Sequence, residues 1–305
     1  MKANTDQRGY GVLLVVASFA LWGVLPVYWK ALHQVPSAEI LAHRIFWSLI
    51  FTGALLALTS RRAELARALR DGRKRLYMAA AAIMICANWW IYIVAVNTGH
   101  ILESSLGYFI TPLLNVLLGL LVLRERLNAA QVTALILATA GVAIRIAQYG
   151  SVPWVSLGLA LTFATYGLLK KVANLDAIVG LFVETAVLAP LALGFLALRH
   201  AAGVGAFGAA SVSVTVLLAG AGIITATPLL LFAAGTRRVP LATVGFAQYV
   251  SPTLILCLGV FVYKETFTGI HALSFGLIWA ALAVYSLSHV RWFAARAAKA
   301  SAGPE

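Results

Sequence analysis

Two stretches of this chain carry the same pattern: residues 107–127 read GYFITPLLNVLLGLLVLRERL, and residues 247–267 read AQYVSPTLILCLGVFVYKETF. They align without a gap at an offset of 140 residues, so that Pro112 matches Pro252 and Glu125 matches Glu265. A weaker match links SFALWG at 18–23 with TFATYG at 162–167. Self-similarity at a fixed offset indicates an internal structural repeat. The sequence therefore predicts two related halves, residues 1–150 and residues 151–305.

The composition around these stretches is that of a membrane protein. Of the 305 residues, 62% are hydrophobic and only 11% are charged, and the mean hydropathy is +0.91. Soluble domains carry about 25% charged residues. A helix needs about 20 apolar residues to cross a bilayer, and such runs lie at 9–31, 37–59, 76–97, 103–123, 128–147, 152–170, 178–198, 211–233, 241–263 and 267–290. We expect an all-α integral membrane protein with ten transmembrane helices and a loop at 201–210.

The basic residues predict the orientation of these helices. If the N-terminus is cytoplasmic, 18 of the 23 Lys and Arg residues fall in the inner segments, as the positive-inside rule requires. Both termini are then cytoplasmic. Five helices in each half place the second half in the opposite orientation, which is the inverted-repeat architecture of many secondary transporters.

The same features argue against other classes of protein. The net charge of +13 is spread over short gaps between apolar runs, which does not indicate a nucleic-acid partner. Cys86 and Cys257 lie in apolar runs without metal-ligand spacing. An enzyme would need a nucleophile and base, or a metal cluster, near a membrane face. No such spacing is present, so we expect no catalytic residue, no metal and no cofactor.

Two charged residues lie inside predicted membrane helices. Arg44 lies about a third of the way into the second helix, and Glu184, 140 residues later, takes the pseudo-symmetric place in the seventh. Because a charge at the bilayer centre costs about 2.5–3.5 kcal/mol on insertion scales, such residues usually face a cavity or a partner. The two side chains could pair, or bind opposite ends of a substrate. The alternatives are a structural ion pair and an arginine that snorkels to the interface.

Polar residues also recur on matching faces of the fourth and ninth helices. One face of the fourth helix carries Ser104, Tyr108, Thr111 and Asn115, and the places of Tyr108 and Thr111 are taken in the ninth by Gln248 and Ser251. Hydrogen bonds between helices would explain such residues at about 0.6 kcal/mol per pair. The match between the faces favours a central solvated pathway.

Aromatic and amide side chains extend this set of candidate substrate-binding residues, namely Trp22, Asn88, Trp89, Tyr92 and Tyr166, where Tyr166 is the repeat counterpart of Trp22. Aromatic faces can hold a flat or cationic solute, although core packing is the alternative. Tyr28 and Trp29, nearer a helix end, are typical of interfacial anchors.

Three prolines inside predicted helices, Pro26, Pro112 and Pro252, are candidate hinges, because each removes a backbone hydrogen bond. Glu103 begins the fourth helix, where helix capping and proton binding explain it equally well. Glu103 and Glu184 are the candidates for proton coupling.

Longer strings resemble a known family. The segments WGVLPVYWK (22–30), EILAHRIFWS (39–48), NWWIYIVAVNTGHILESSLGYFITPLLNVLLG (88–119), RERLNAAQ (124–131), TYGLLKK (165–171), FVETAVLAP (182–190) and VGFAQYVSPTLIL (244–256) resemble the RarD-type permeases of the EamA branch of the drug/metabolite transporter superfamily. The resemblance implies a bacterial inner-membrane transporter of ten helices in two five-helix repeats. It also implies a central cavity, with the fifth and tenth helices outside it. It implies no particular substrate. The first helix lacks the membrane-centre acidic residue of small multidrug transporters, so proton coupling is not implied either.

The residues and the resemblance together predict a secondary transporter, an exporter or exchanger of small organic metabolites, that works by alternating access. Arg44 would bind an anionic group and Glu184 would balance it, which suits a zwitterion such as an amino acid. A membrane receptor or scaffold, or a membrane-embedded enzyme, would be the alternative. The expected partners are the solute and the lipid bilayer, and a homodimer is compatible with the sequence.

Overall fold

The computed structural model describes residues 2–97, 101–149, 154–262 and 269–301. Regular secondary structure in these residues is helical throughout. The helices are α1 (Lys2–Lys30), α2 (Ser37–Leu58), α3 (Arg62–Arg70), α4 (Gly72–Asn97), α5 (Ile101–Leu121), α6 (Ala129–Tyr149), α7 (Trp154–Ala173), α8 (Ala177–Ala201), α9 (Val212–Thr236), α10 (Leu241–Gln248), α11 (Val250–Cys257) and α12 (Gly269–Ser301), with a π-helical segment at Leu258–Val262.

Several of these helices cross a membrane by the criteria of length and composition. Six spans of the described chain are long and apolar enough, and they are Gln7–Lys30, Ser37–Leu58, Trp154–Ala173, Ala177–Ala201, Val212–Thr236 and Leu241–Val262. Shorter apolar helices lie at Gly107–Leu121, Ala129–Ile144 and Ala272–Leu287. The chain is therefore a multi-pass α-helical membrane protein.

One helix was not predicted. Helix α3, RAELARALR, lies in a basic segment that the sequence assigned to a cytoplasmic loop. Its Leu65 and Ala68 pack against Met78 and Val179 at the end of the bundle, and its arginines lie on the outside. At nine residues it is far too short to span a bilayer. Helix α3 therefore covers one end of the bundle.

Two helices begin where a carboxylate accepts hydrogen bonds from their free backbone N–H groups. Asp176 accepts from the backbone N of Ile178 at 3.0 Å and caps α8. Helix α10 follows Pro240, and its first N–H groups, those of Leu241 and Ala242, donate to the Glu125 carboxylate at 2.7 and 3.0 Å. A carboxylate suits the positive end of a helix. Glu125, from the first half of the chain, thus fixes the start of a helix in the second half.

The helices pack in an interleaved order that joins the two halves. The most extensive contacts are α6 with α12, α5 with α7, α2 with α8, α4 with α7, α2 with α9, α1 with α9, α5 with α10, α1 with α11 and α4 with α8. Two apolar cores result. One joins α1, α2, α4 and α7–α10 around Phe19, Tyr166 and Phe232, and the other joins α5, α6, α10 and α12 around Phe246 and Phe275.

The ninth predicted span is interrupted near its middle. Helix α10 ends at Gln248, α11 begins at Val250, and Pro252 lies in the first turn of α11. Proline has no N–H to donate to the carbonyl four residues earlier, here that of Gln248. Pro26 and Pro112 lie within helices α1 and α5, which continue past them. Of the three candidate hinge prolines, only Pro252 lies beside a helix interruption.

Helices α2 and α9 approach so closely at Gly222 that no side chain fits there. A Cβ atom at this position would lie 2.3 Å from the carbonyl carbon of Trp47. We expect Gly222→Ala to push the two helices apart and to lower the free energy of unfolding by about 1–3 kcal/mol, the usual cost of overpacking. Thermal unfolding of the detergent-solubilised protein measures the loss.

The matched control is Gly194→Ala in α8, where an added Cβ meets no atom within 4 Å. This variant is expected to keep or raise the unfolding midpoint, because alanine favours a helix over glycine. Equal midpoints for the two variants would contradict the close α2–α9 contact.

Candidate functional site

Arg44 lies at the meeting point of four helices. It projects from α2, and its guanidinium carbon is 4.6 Å from the ring centroid of Trp29 in α1 and 5.0 Å from that of Trp89 in α4. Its Nε donates to Thr225 Oγ1 in α9 at 3.0 Å. Cation–π contacts of this kind are worth about 0.5–2 kcal/mol each, the larger values applying away from water. The Arg44 site is therefore a partly buried cation held by aromatic faces and one hydroxyl.

This arrangement leaves one part of the guanidinium open. Arginine has five N–H donors in one plane, and Thr225 takes the one at Nε. Within the described part of the chain, no acceptor engages the Nη atoms of Arg44 and no carboxylate lies within ion-pair distance of it. The Nη edge of Arg44 therefore has no hydrogen-bond acceptor among the described residues.

Two tyrosines border the same site. The phenol groups of Tyr92 in α4 and Tyr108 in α5 lie close enough to Arg44 to interact electrostatically with it. Each of these side chains is 40% exposed. Both tyrosines therefore lie near the partly buried guanidinium, and part of each residue is accessible at the surface of the bundle. Phenol hydroxyls there can donate to or accept from a solute.

Glu184 is part of a second, separate cluster. Its Oε1 is 2.6 Å from Lys170 Nζ, and its Oε2 accepts from the Tyr166 hydroxyl at 3.1 Å. Glu184 is 2% exposed and Lys170 is 8% exposed. The cluster borders a small cavity lined by Tyr77, Met78, Ala81, Leu169, Lys170, Ala173, Leu175, Gly180, Glu184 and Ala233. The ion pair of Glu184 is therefore with Lys170, and the pairing with Arg44 that the sequence allowed is not present.

Lys170 is buried, which the sequence did not predict. A Lys-Lys doublet at the end of a predicted helix is typical of exposed positions at a cytoplasmic boundary. Helix α7 instead continues to Ala173, and Lys170 turns inward toward Glu184. Lys171 binds the backbone carbonyl of Val239 and lies 3.9 Å from Glu125. Both lysines therefore contribute to the packing of the helices.

Other candidate residues have partners within the protein. Asn115 in α5 donates to Gln248 Oε1 in α10 at 2.8 Å, and Asn88 in α4 donates to the Leu159 carbonyl and to Thr162 Oγ1 in α7 at 2.9 and 3.0 Å. These are hydrogen bonds between helices, the alternative explanation for polar faces. Asn115 Oδ1 is buried without a hydrogen-bond donor among the described residues.

The remaining candidates lie nearby in the same bundle. Trp22 packs edge-on against Phe163 at 5.6 Å, and Tyr166 stacks on Phe232 at 6.0 Å. Thr111 donates to a carbonyl of its own helix at 2.7 Å, and Ser251 is buried. The side chain of Glu103 lies outside the described residues.

Two residues of the Arg44 site were missed from the sequence. Trp29 was interpreted as an interfacial anchor because it lies near the end of α1, and Thr225 carried no signal beyond being a hydroxyl in an apolar helix. Residues Trp29, Arg44, Trp89 and Thr225 come from four helices, and Thr225 is 181 residues from Arg44. Local spacing cannot reveal such a cluster.

Other proteins resemble this chain over most of its length. The model of the EamA-like transporter family matches residues 9–146. An "Uncharacterized transporter YojE" from Bacillus subtilis is 46% identical, with 92% of this chain and 95% of that protein covered. A "Protein RarD" from Salmonella typhi is 40% identical, with 94% and 98% covered. A "Chloramphenicol-sensitive protein RarD" from Pseudomonas aeruginosa is 32% identical, with 90% and 92% covered.

A solved crystal structure has a similar fold. It superposes with a TM-score of 0.69 at 19% sequence identity, with 91% of this chain and 97% of that chain covered. At this level of identity the likeness concerns the fold alone.

The Lys170–Glu184 pair yields a stability prediction. Lys170→Met leaves a buried carboxylate with only the Tyr166 hydroxyl, and breaking a buried ion pair in this way costs about 3–5 kcal/mol. The double variant Lys170→Met/Glu184→Gln removes both charges and keeps an acceptor for Tyr166. We therefore expect a higher unfolding midpoint for the double variant than for Lys170→Met, measured by thermal unfolding. A double variant whose loss equals the sum of the two single losses would show that the residues are not coupled.

Proposed function

Because this chain belongs to the RarD-type permeases of the EamA-like transporter family, we propose that it carries small organic metabolites across the bacterial inner membrane as a secondary transporter. It is a multi-pass bacterial membrane transporter with a small-molecule substrate, and its family is one of transporters rather than enzymes. The finer proposal concerns the binding site, the mechanism and the orientation of the chain.

The observation that carries the proposal is the Arg44 site. Burying a cation inside a membrane protein costs free energy. An arginine with a purely structural role would be expected to pair with a carboxylate of the protein. Arg44 is instead flanked by Trp29 and Trp89, with its Nη edge unoccupied among the described residues. We assign to Arg44 the binding of an anionic group of the solute. Trp89, Tyr92 and Tyr108 would border the bound molecule.

The helix contacts support alternating access between two inverted repeats, residues 1–150 and 151–305. In the proposed repeat, the corresponding helices are α1 and α7, α2 and α8, α4 and α9, α5 and the α10–α11 segment, and α6 and α12. If the members of each pair are exchanged, every contact between the halves should have a counterpart. The α4–α7 contact corresponds to α1–α9, the α2–α9 contact to α4–α8, and the α5–α7 contact to α1–α11. All six contacts are present in the structure. Such pseudo-symmetry lets two conformations of similar energy open the site to opposite sides. In this arrangement α6 and α12 lie outside the central cavity.

In this mechanism the remaining candidate residues line the pathway, connect helices of the two halves or permit helices to bend. Asn88, Asn115 and Gln248 tie helices across the two halves, so their hydrogen bonds must rearrange when the cavity changes sides. Trp22, Thr111, Tyr166 and Ser251 complete the walls of the pathway, and Pro26, Pro112 and Pro252 permit the helices to bend. Glu184 can take up a proton only in a conformation that moves Lys170 away, and it is our first candidate for proton coupling, before Glu103. Export or exchange is the proposed direction.

The proposed orientation puts both termini in the cytoplasm and the loop between α8 and α9 outside. Ala63 in α3 and Ala209 in that loop are exposed. In a background where Cys86 and Cys257 are serine, we expect Ala63→Cys to react with an impermeant maleimide only after cells are opened. Ala209→Cys should react in intact cells. Labelling of both positions from the same side would contradict the proposed orientation.

The transport proposal is tested by metabolite profiling of cells that overproduce the protein. We expect at least one small organic acid or amino acid to change severalfold in its ratio of external to internal concentration. Arg44→Ala should abolish this change, and Arg44→Lys should abolish it as well, because lysine cannot present two in-plane donors. Arg62→Gln, which removes an exposed charge from α3, is the control. Unchanged profiles for correctly folded Arg44→Ala would refute the assignment of the site.

A further inference from the structure

The geometry around Arg44 restricts the direction from which a ligand can approach. The indole rings of Trp29 and Trp89 lie 4.6 and 5.0 Å from the guanidinium carbon, and Thr225 accepts from Nε. An acceptor must therefore come in the plane of the guanidinium, toward Nη1 and Nη2. Two parallel N–H groups in one plane match the two oxygens of a carboxylate.

The charges nearby restrict the ligand further. Arg44 supplies one positive charge, and among the described residues the buried cation Lys170 is neutralised by Glu184 at 2.6 Å. A doubly charged phosphate would need a second cation to compensate it inside the membrane. A single carboxylate leaves the site neutral.

An ammonium group on the ligand would find no partner among the described carboxylates inside the bundle. Glu39 accepts from Arg199 at 2.9 Å and from the backbone N of Ala206 at 2.5 Å. Glu125 caps α10, and Glu184 is paired with Lys170. An ammonium group beside Arg44 would also be repelled by the guanidinium in a medium of low dielectric constant.

We infer that the substrate is a monocarboxylate anion without an ammonium group. This inference rests on the proposed transport function and names the substrate class of the Arg44 site. It replaces the zwitterion that the sequence suggested when Glu184 was taken to be free. The attraction between the Arg44 guanidinium and a carboxylate is strong inside the bundle, because the dielectric constant is low and few water molecules compete for the same hydrogen bonds.

The test is equilibrium binding to the purified protein, followed by tryptophan fluorescence and by thermal shift. Two matched series of probes keep the carbon skeleton constant: 3-phenylpropionate, phenylalanine, 3-phenylpropanamide and 3-phenylpropylamine, and butyrate, 2-aminobutyrate, butyramide and butylamine. Within at least one series we expect the acid to bind about tenfold or more tightly than the amide, the amine and the amino acid, since only the acid forms charge-assisted bonds without repulsion. Arg44→Gln and Arg44→Lys should lose this preference, and Arg62→Gln should keep it.

Glu103 provides the decisive second variant, because its carboxylate is the one candidate for an ammonium partner at the mouth of the fourth predicted helix. We expect Glu103→Gln to leave the affinity for the acid unchanged. The inference is overturned if an amino acid binds more tightly than its matched acid and Glu103→Gln removes that advantage, or if neither acid binds at millimolar concentration. Either result leaves the transport proposal standing, since that proposal is tested separately, by whether overproduction of the protein changes the metabolite profile of the cells.

Discussion

A charge inside a membrane bundle must be compensated, and this chain compensates its buried charges in two different ways. Glu184 is neutralised within the protein by Lys170 and receives a further hydrogen bond from Tyr166. Arg44 receives two aromatic faces and a hydroxyl, which stabilise the cation without cancelling its charge. The Lys170–Glu184 ion pair connects helices α7 and α8. The second arrangement leaves the positive charge of Arg44 without a counter-charge among the described residues, and the proposed function depends on this difference.

The proposed repeat relates the places of the two charges in the sequence, and the structure gives them different partners. Arg44 and Glu184 are 140 residues apart, as are Pro112 and Pro252. Their neighbours have diverged. Glu184 has a lysine from the preceding helix, whereas Arg44 is approached by tryptophans from α1 and α4. In the proposed repeat, the related positions of Arg44 and Glu184 thus have different surroundings, aromatic rings at Arg44 and an ion pair at Glu184.

The sequence predicted the helices well because membrane spans are encoded locally, in runs of apolar residues of bilayer length. Most residues of the predicted runs that the structure describes are helical, and six helical spans of the described chain meet the length and hydropathy criteria for a membrane span. Helix α3 was missed because a short, basic, amphipathic helix resembles a loop in composition. The contacts of Lys170 with Glu184 and of Trp29 with Arg44 were not predicted, because each residue lies near a helix end, where lysine and tryptophan are usually interfacial. Thr225 could not be found at all, since its role comes from a contact with a residue 181 positions away.

The central claim is that the Nη edge of Arg44 is the place where the solute binds. The most direct measurement is protection of Arg44 from an arginine-specific dicarbonyl reagent, quantified by mass spectrometry of the peptide that contains it. The account predicts that Arg44 reacts in the free protein, that a bound monocarboxylate slows this reaction severalfold, and that the matched amide does not. An Arg44 that reacts at the same rate in the presence of transported solute would contradict the account, because the solute would then bind elsewhere.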